Sequence, residues 1–109
     1  MNTELLKSLC EASAVSGDEQ DVRQLLIAAL TPHVDEITFD GLGSVIARKG
    51  TRGPKIAVVG HMDEVGLMVT HISEQGFIRF DTIGGWWSQS MLNHRVTVRT
   101  RNWQKIPGV

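Results

Sequence analysis

The apolar run Ile56-Ala57-Val58-Val59 constrains the fold of this chain more than any other segment. It is short, largely β-branched and free of polar residues. Such a run predicts a strand covered on both faces of a sheet, as in the centre of a parallel α/β sheet. Gly60-His61-Met62-Asp63-Glu64-Val65-Gly66 follows directly. Ligands of open α/β sheets sit in the crevice beyond the carboxyl ends of the strands. A histidine and two acids at that place predict the start of a metal site.

The remaining pattern is helical first and strand-like afterwards. Thr3 is a candidate cap for a helix over residues 4–13, with Leu5, Leu6 and Leu9 apolar. Ser16 and Glu19 have the spacing of a capping box. Behind them Val22, Leu25, Leu26, Ala29 and Leu30 repeat at helical period until Pro32. Ile37 and Phe39 alternate with Glu36, Thr38 and Asp40. Val45-Ile46-Ala47 answers across Asp40-Gly41 and Gly43 as a hairpin partner. Further strands are predicted over residues 67–72, 77–80 and 95–100, with breaks at Glu74-Gln75-Gly76 and Gly84-Gly85. Short strands between glycine turns suggest a small antiparallel barrel or sandwich. The expectation is therefore an α/β unit over residues 1–68, followed by an incomplete β-rich unit over residues 69–109.

Composition narrows the function classes. Eleven Lys+Arg stand against 12 Asp+Glu in 109 residues, so no global field favours nucleic acid or an anionic membrane. No apolar run approaches the 18 or so residues that span a bilayer. Met1-Asn2-Thr3-Glu4 has neither the basic nor the apolar region of a secretory signal. Cys10, the only cysteine, cannot form an internal disulfide, which fits a reducing cytoplasm. Leu5 and Leu6, one turn away, predict a packed thiol. The last residues, Lys105-Ile106-Pro107-Gly108-Val109, end apolar and uncapped, and read as a chain interrupted.

Neutral imidazole suits zinc or cobalt. A carboxylate commonly holds the other ring nitrogen. Residues i and i+2 of an extended segment share a side, so Asp63 is placed to brace His61 while Glu64 points away. A catalytic metal takes about three protein ligands, and one histidine does not supply them. The bland alternative is a histidine closing a strand end beside two solvated acids. His33, His71 and His94 read as structural. Trp86-Trp87 predicts either a loop anchored by one buried indole or an exposed platform. Arg95, Arg99 and Arg101 read as one solvated strand face; a nucleic-acid surface is disfavoured by the balanced charge. A non-enzymatic α/β interaction module using the Trp86/Trp87 loop and the Arg95 strand is the alternative to an enzyme.

Taken together, Ser13-Ala14-Val15-Ser16-Gly17-Asp18-Glu19, Asp40-Gly41-Leu42-Gly43-Ser44-Val45 and the segment from Gly60 to Gly66 resemble the tetrahedral, dinuclear-metal aminopeptidases. Ile83-Gly84-Gly85-Trp86, Arg95-Val96-Thr97 and Ile106-Pro107-Gly108-Val109 extend the resemblance along nearly the whole chain. This family includes glutamyl and deblocking aminopeptidases and the enzymes once called cellulase M. Ser44 departs from it, since many members carry Asn there. The resemblance implies the N-terminal part of an α/β metallopeptidase catalytic domain, with a β-barrel-like domain inserted after the His-x-Asp strand. It implies two divalent metal ions, zinc or cobalt, with manganese as a further candidate. His61 matches a metal ligand and Asp63 the catalytic-site acid that orients it. Peptides with a free N-terminus are the implied substrates, and dimers assembling to a dodecamer the implied homo-oligomer. The family's other ligands and its general base have no counterpart in these residues, so the expectation is an N-terminal fragment inactive alone. The purified 109-residue chain with added cobalt is expected to leave an aminoacyl-p-nitroanilide unhydrolysed; clear turnover refutes this.

Overall fold

A computed structural model describes residues 2–109. The chain is α/β and runs α1 (Thr3–Glu11), α2 (Gln20–Leu30), a 3-10 turn (Thr31–His33), β1 (Glu36–Phe39), β2 (Val45–Arg48), β3 (Gly66–Ile72), β4 (Ile78–Ile83), a second 3-10 turn (Ser88–Met91), β5 (Val96–Arg99) and β6 (Lys105–Gly108).

Local chemistry sets the helix ends. Asn2, not Thr3, caps α1: its Oδ1 accepts from Leu5 N at 3.1 Å, and Thr3 becomes the first helical residue. Asn is at least as good a cap as Thr. The expected Ser16 box does not close. Glu19 occupies the cap position of α2 without capping it, because its Oε1 accepts from Gly17 N at 2.6 Å. The α-helix stops at Leu30, and Pro32 lies in the tighter turn that follows. Cys10 is exposed, so the packed thiol is not found.

All three sheets are two-stranded antiparallel hairpins of neighbouring strands: β1–β2, β3–β4 and β5–β6. Each register is short-range: Phe39 faces Val45, Ile72 faces Ile78, and Arg99 faces Lys105. In β3 the pairing slips between Val69 and His71, leaving Thr70 as the bulge. β6 is a strand that the sequence reading does not include. Pro107, which lacks an N–H, is tolerated there because both strands of a two-stranded ribbon are edges.

The run 56–59 is the main correction. Among the described residues it has no ladder partner, and Ile56, Val58 and Val59 are 87%, 97% and 89% exposed. A central strand exists only where neighbours pair with it, and the six strands present pair among themselves. The same openness holds throughout. Ala14 and Val22 are the only buried hydrophobic residues among those described. The radius of gyration is 17.6 Å, where a compact domain of this length would have about 13 Å. The accessible surface is 9427 Å², where a folded monomer of this mass would expose about 6,000 Å².

Helix packing and an ion-pair cluster are among the ties that hold the parts in register. α2 packs on α1 and on β2. The β5–β6 hairpin is fastened to the start of α2 by Arg99, whose Nη1 lies 3.0 Å from Asp18 Oδ2 and whose Nη2 lies 3.2 Å from Asp21 Oδ1. Lys105 Nζ adds a contact of 3.8 Å to Asp21 Oδ2. The Arg99 guanidinium also stacks 4.2 Å over the Trp103 ring. The solvated arginine face is therefore corrected: Arg99 is engaged inside the chain, and Arg95 and Arg101 lie outside β5.

Gly66 is a close-approach position. A Cβ there would stand 2.5 Å from both Val15 Cγ1 and Cγ2. Valine has no flexible end to swing away. Gly66→Ala is expected to destabilise the protein by roughly 1–3 kcal/mol, read from urea unfolding. Combining it with Val15→Ala should return part of that loss.

Candidate metal centre

His61 and Asp63 sit in the extended stretch between β2 and β3. Its downstream end is pinned from two sides. On one side Val15 and Glu64 form an isolated parallel bridge. Glu64 N donates to Ala14 O at 2.7 Å, and Ala14 N donates back to Glu64 Oε1 at 3.1 Å. On the other side the Trp86 indole Nε1 donates to Gly66 O at 2.9 Å. Trp86 is thus the anchored indole of its loop, and Trp87 is exposed.

The histidine geometry is specific. His61 Nδ1 lies 2.9 Å from Asp63 O and 3.1 Å from Asp63 Oδ1. Both partners are acceptors, so Nδ1 carries the proton and donates to them. In the neutral ring Nε2 then keeps its lone pair. The ring is 85% exposed. One braced imidazole fits the role of a single metal ligand. Among the described residues no group of three His, Cys, Asp or Glu is gathered to hold an ion. His33 ends the first 3-10 turn, His71 faces Arg79 across β3–β4, and His94 precedes β5.

Beside this pair lies a cleft of about 250 Å³, lined by Ser16, Glu19, Leu42, Ser44, Met62 and Asp63. Three stretches far apart in sequence meet there. The first is held by Glu19, whose carboxylate takes the Gly17 amide and lies 3.7 Å from Arg23 Nη2. The second is a loop closed on Asp40. Asp40 Oδ1 accepts from Leu42 N at 2.9 Å and Ser44 N at 2.8 Å, and its Oδ2 accepts from the Ser44 hydroxyl at 2.7 Å. Gly43 makes that loop possible, with φ at +85° and the Arg23 guanidinium where a Cβ would be. The Ser44 hydroxyl, followed by the Ser44 amide, holds the Asp40 carboxyl below its ordinary value of 3.8. The Leu42 and Gly43 amides act in the same sense.

The chain belongs to the family of M42 glutamyl aminopeptidases, whose family model matches residues 43–109. It is 75% identical to FrvX of Escherichia coli (strain K12) over 109 residues, all of this chain and 31% of that protein. The structure resembles a TET aminopeptidase from the marine sediment archaeon Thaumarchaeota archaeon SCGC AB-539-E09. The TM-score is 0.91 at 44% identity, covering 98% of this chain and 30% of that one. It also resembles the Pyrococcus horikoshii TET1 peptidase, which can assemble into a tetrahedron or a large octahedral shell. Here the TM-score is 0.87 at 29% identity, covering 97% of this chain and 32% of that one. The chain thus spans about a third of the length of the proteins it matches.

Glu64 was not singled out by its sequence context as a partner of the loop at Ala14. The only signal is its place beside Asp63. Because the Asp40 pKa is depressed in the fold, the loop gains stability from it above the ordinary carboxylate pKa. That gain is lost as pH falls through the lowered folded value. Ser44→Ala removes the largest cause, so the Asp40 titration is expected to move up toward 3.8 in a carboxyl-carbon NMR titration.

Proposed function

We propose that this chain forms part of a metal-dependent aminopeptidase, with His61 Nε2 as one metal ligand and Asp63 as the acid that orients its ring. The observation that carries the reading is the His61–Asp63 geometry. Nδ1 is held by two acceptors of Asp63, at 2.9 and 3.1 Å, and Asp63 itself lines a cleft. Family membership supports it, as do relatives whose names describe aminopeptidases. A bound divalent metal supplies Lewis acidity toward the peptide carbonyl and an attacking water. The chain's own residues do the rest within their reach. Asp63 keeps the Nδ1 proton in place and so keeps Nε2 basic and aimed. The cleft beside it is lined by Ser16, by Ser44, whose hydroxyl is given to Asp40, and by Leu42 and Met62.

The parent protein would carry two divalent ions, zinc, cobalt or manganese, and hydrolyse the first peptide bond of peptides with a free N-terminus. The remaining ligands and the general base lie outside these residues. Residues 1–68 belong in this reading to the catalytic α/β unit, and residues 69–109 to an inserted β-rich unit. β3 runs unbroken across the division, so the two units share a strand. A homo-oligomer of dimers, up to a dodecamer, is the proposed assembly, in keeping with the shells built by the horikoshii relative. No described helix is long and apolar enough to cross a membrane, and a cytoplasmic location is part of the proposal. Of the surface the interaction-module reading uses, Trp86 is committed to Gly66 and Arg99 to Asp18 and Asp21, while Trp87 stays exposed.

In the full-length protein, His61→Ala is expected to lower bound divalent metal and abolish peptide hydrolysis. Asp63→Ala should lower metal affinity or activity by roughly 10–100-fold. Metal analysis and an aminopeptidase assay check both; a His61→Ala protein with unchanged metal content and turnover overturns the reading.

A further inference from the structure

Glu64 stands next to the His61–Asp63 pair, yet its carboxylate is used elsewhere. Both its backbone and its side chain are turned toward a single residue 50 positions earlier: Glu64 N donates to Ala14 O at 2.7 Å, and Glu64 Oε1 accepts from Ala14 N at 3.1 Å. Ala14 is the most buried hydrophobic residue described, at 2% exposed. A part-buried backbone N–H left without an acceptor is costly, and Glu64 is the acceptor the fold provides.

The position of this link matters for the site. Asp63 precedes Glu64 in the chain, and both acceptors that hold His61 Nδ1 belong to Asp63. Fixing Glu64 therefore fixes the residue that aims the imidazole. On the other side of the link, the loop that begins at Ala14 supplies Ser16 and Glu19 to the cleft wall. One carboxylate thus sets the cleft wall and the imidazole in a common frame.

We propose that Glu64 is a positioning residue that acts by reach rather than by charge. Its side chain locks the Ala14 loop against the His61–Asp63 segment, so that the metal-binding nitrogen and the neighbouring cleft keep one geometry. This inference rests on His61 being a metal ligand. Reach and charge separate cleanly in two mild substitutions. Glu64→Gln keeps the length and an acceptor oxygen but loses the charge. Glu64→Asp keeps the charge but is one methylene too short to reach Ala14 N.

The test is cobalt(II) titration of the metal-free full-length protein, followed by visible absorption of the bound ion. Glu64→Gln should bind cobalt within roughly threefold of the unmodified protein, whereas Glu64→Asp should lose roughly tenfold or more with a changed absorption envelope. Glu64→Ala should resemble Glu64→Asp; if it does not fold, the Gln and Asp variants decide. Normal binding by Glu64→Asp, or equal loss in Glu64→Gln and Glu64→Asp, overturns the proposal. His61→Ala separates this failure from failure of the underlying reading. Lost cobalt absorption in His61→Ala with normal binding by Glu64→Asp removes only the role of Glu64. Normal cobalt binding by His61→Ala removes the metal reading and the role of Glu64 with it.

Discussion

The paired hydrogen bonds between Ala14 and Glu64 hold this chain's two functional halves together. One half is helical and contributes the loop between α1 and α2. The other is the extended segment that carries His61. Nearly every other backbone contact in the molecule is local: helix turns, or hairpins between adjacent strands. The exchange across 50 residues gives the segment a direction and a depth. Val15 and Gly66 then press together beside it, close enough that a single methyl group is excluded.

Charge supplies the second long-range tie, and it also ends on the region between the helices. Arg99 reaches Asp18 and Asp21 from β5, with Trp103 stacked on its outer face. Its side chain is 20% exposed, and its two carboxylate partners fix the guanidinium through Nη1 and Nη2. The stretch from Ala14 to Asp21 therefore meets both the His61 segment and the last hairpin. The cleft beside Asp63 forms where these converge with the Asp40 loop. A site assembled this way depends on side chains from several separate stretches. Its chemistry is accordingly carried by the arrangement, not by His61 alone.

Much of this was legible in the residues. The helical period from Val22 to Leu30, the alternation at Ile37 and Phe39, and the turn at Glu74-Gln75-Gly76 are local signals, and each produced its element. The i, i+2 spacing of His61 and Asp63 was enough to predict that they stand side by side. What stayed hidden depended on competition or distance. Asn2 outcompeted Thr3 for the same cap. Glu19 was drawn to the Gly17 amide and Arg23, so it did not complete a box. The strand at Lys105 went unread because its segment showed only an apolar, uncapped end. Arg99 read as one of three like charges, because nothing local reveals two aspartates some 80 residues away. Glu64 was discounted for pointing away from His61, although that orientation is what lets it reach Ala14.

The uncovered run from Ile56 to Val59 has a consequence for biogenesis. The three hairpins close between sequence neighbours, an event on the order of 1–10 μs. The helices need no distant partner. Ile56-Ala57-Val58-Val59 has no such shortcut, and uncovered it is a sticky, β-prone peptide. Four cations precede it within eight positions: Arg48, Lys49, Arg52 and Lys55. Like charges beside such a tract repel parallel copies of it on neighbouring nascent chains, a gatekeeping arrangement. The basic residues before the His61 segment thus set charge against self-association of an uncovered apolar run.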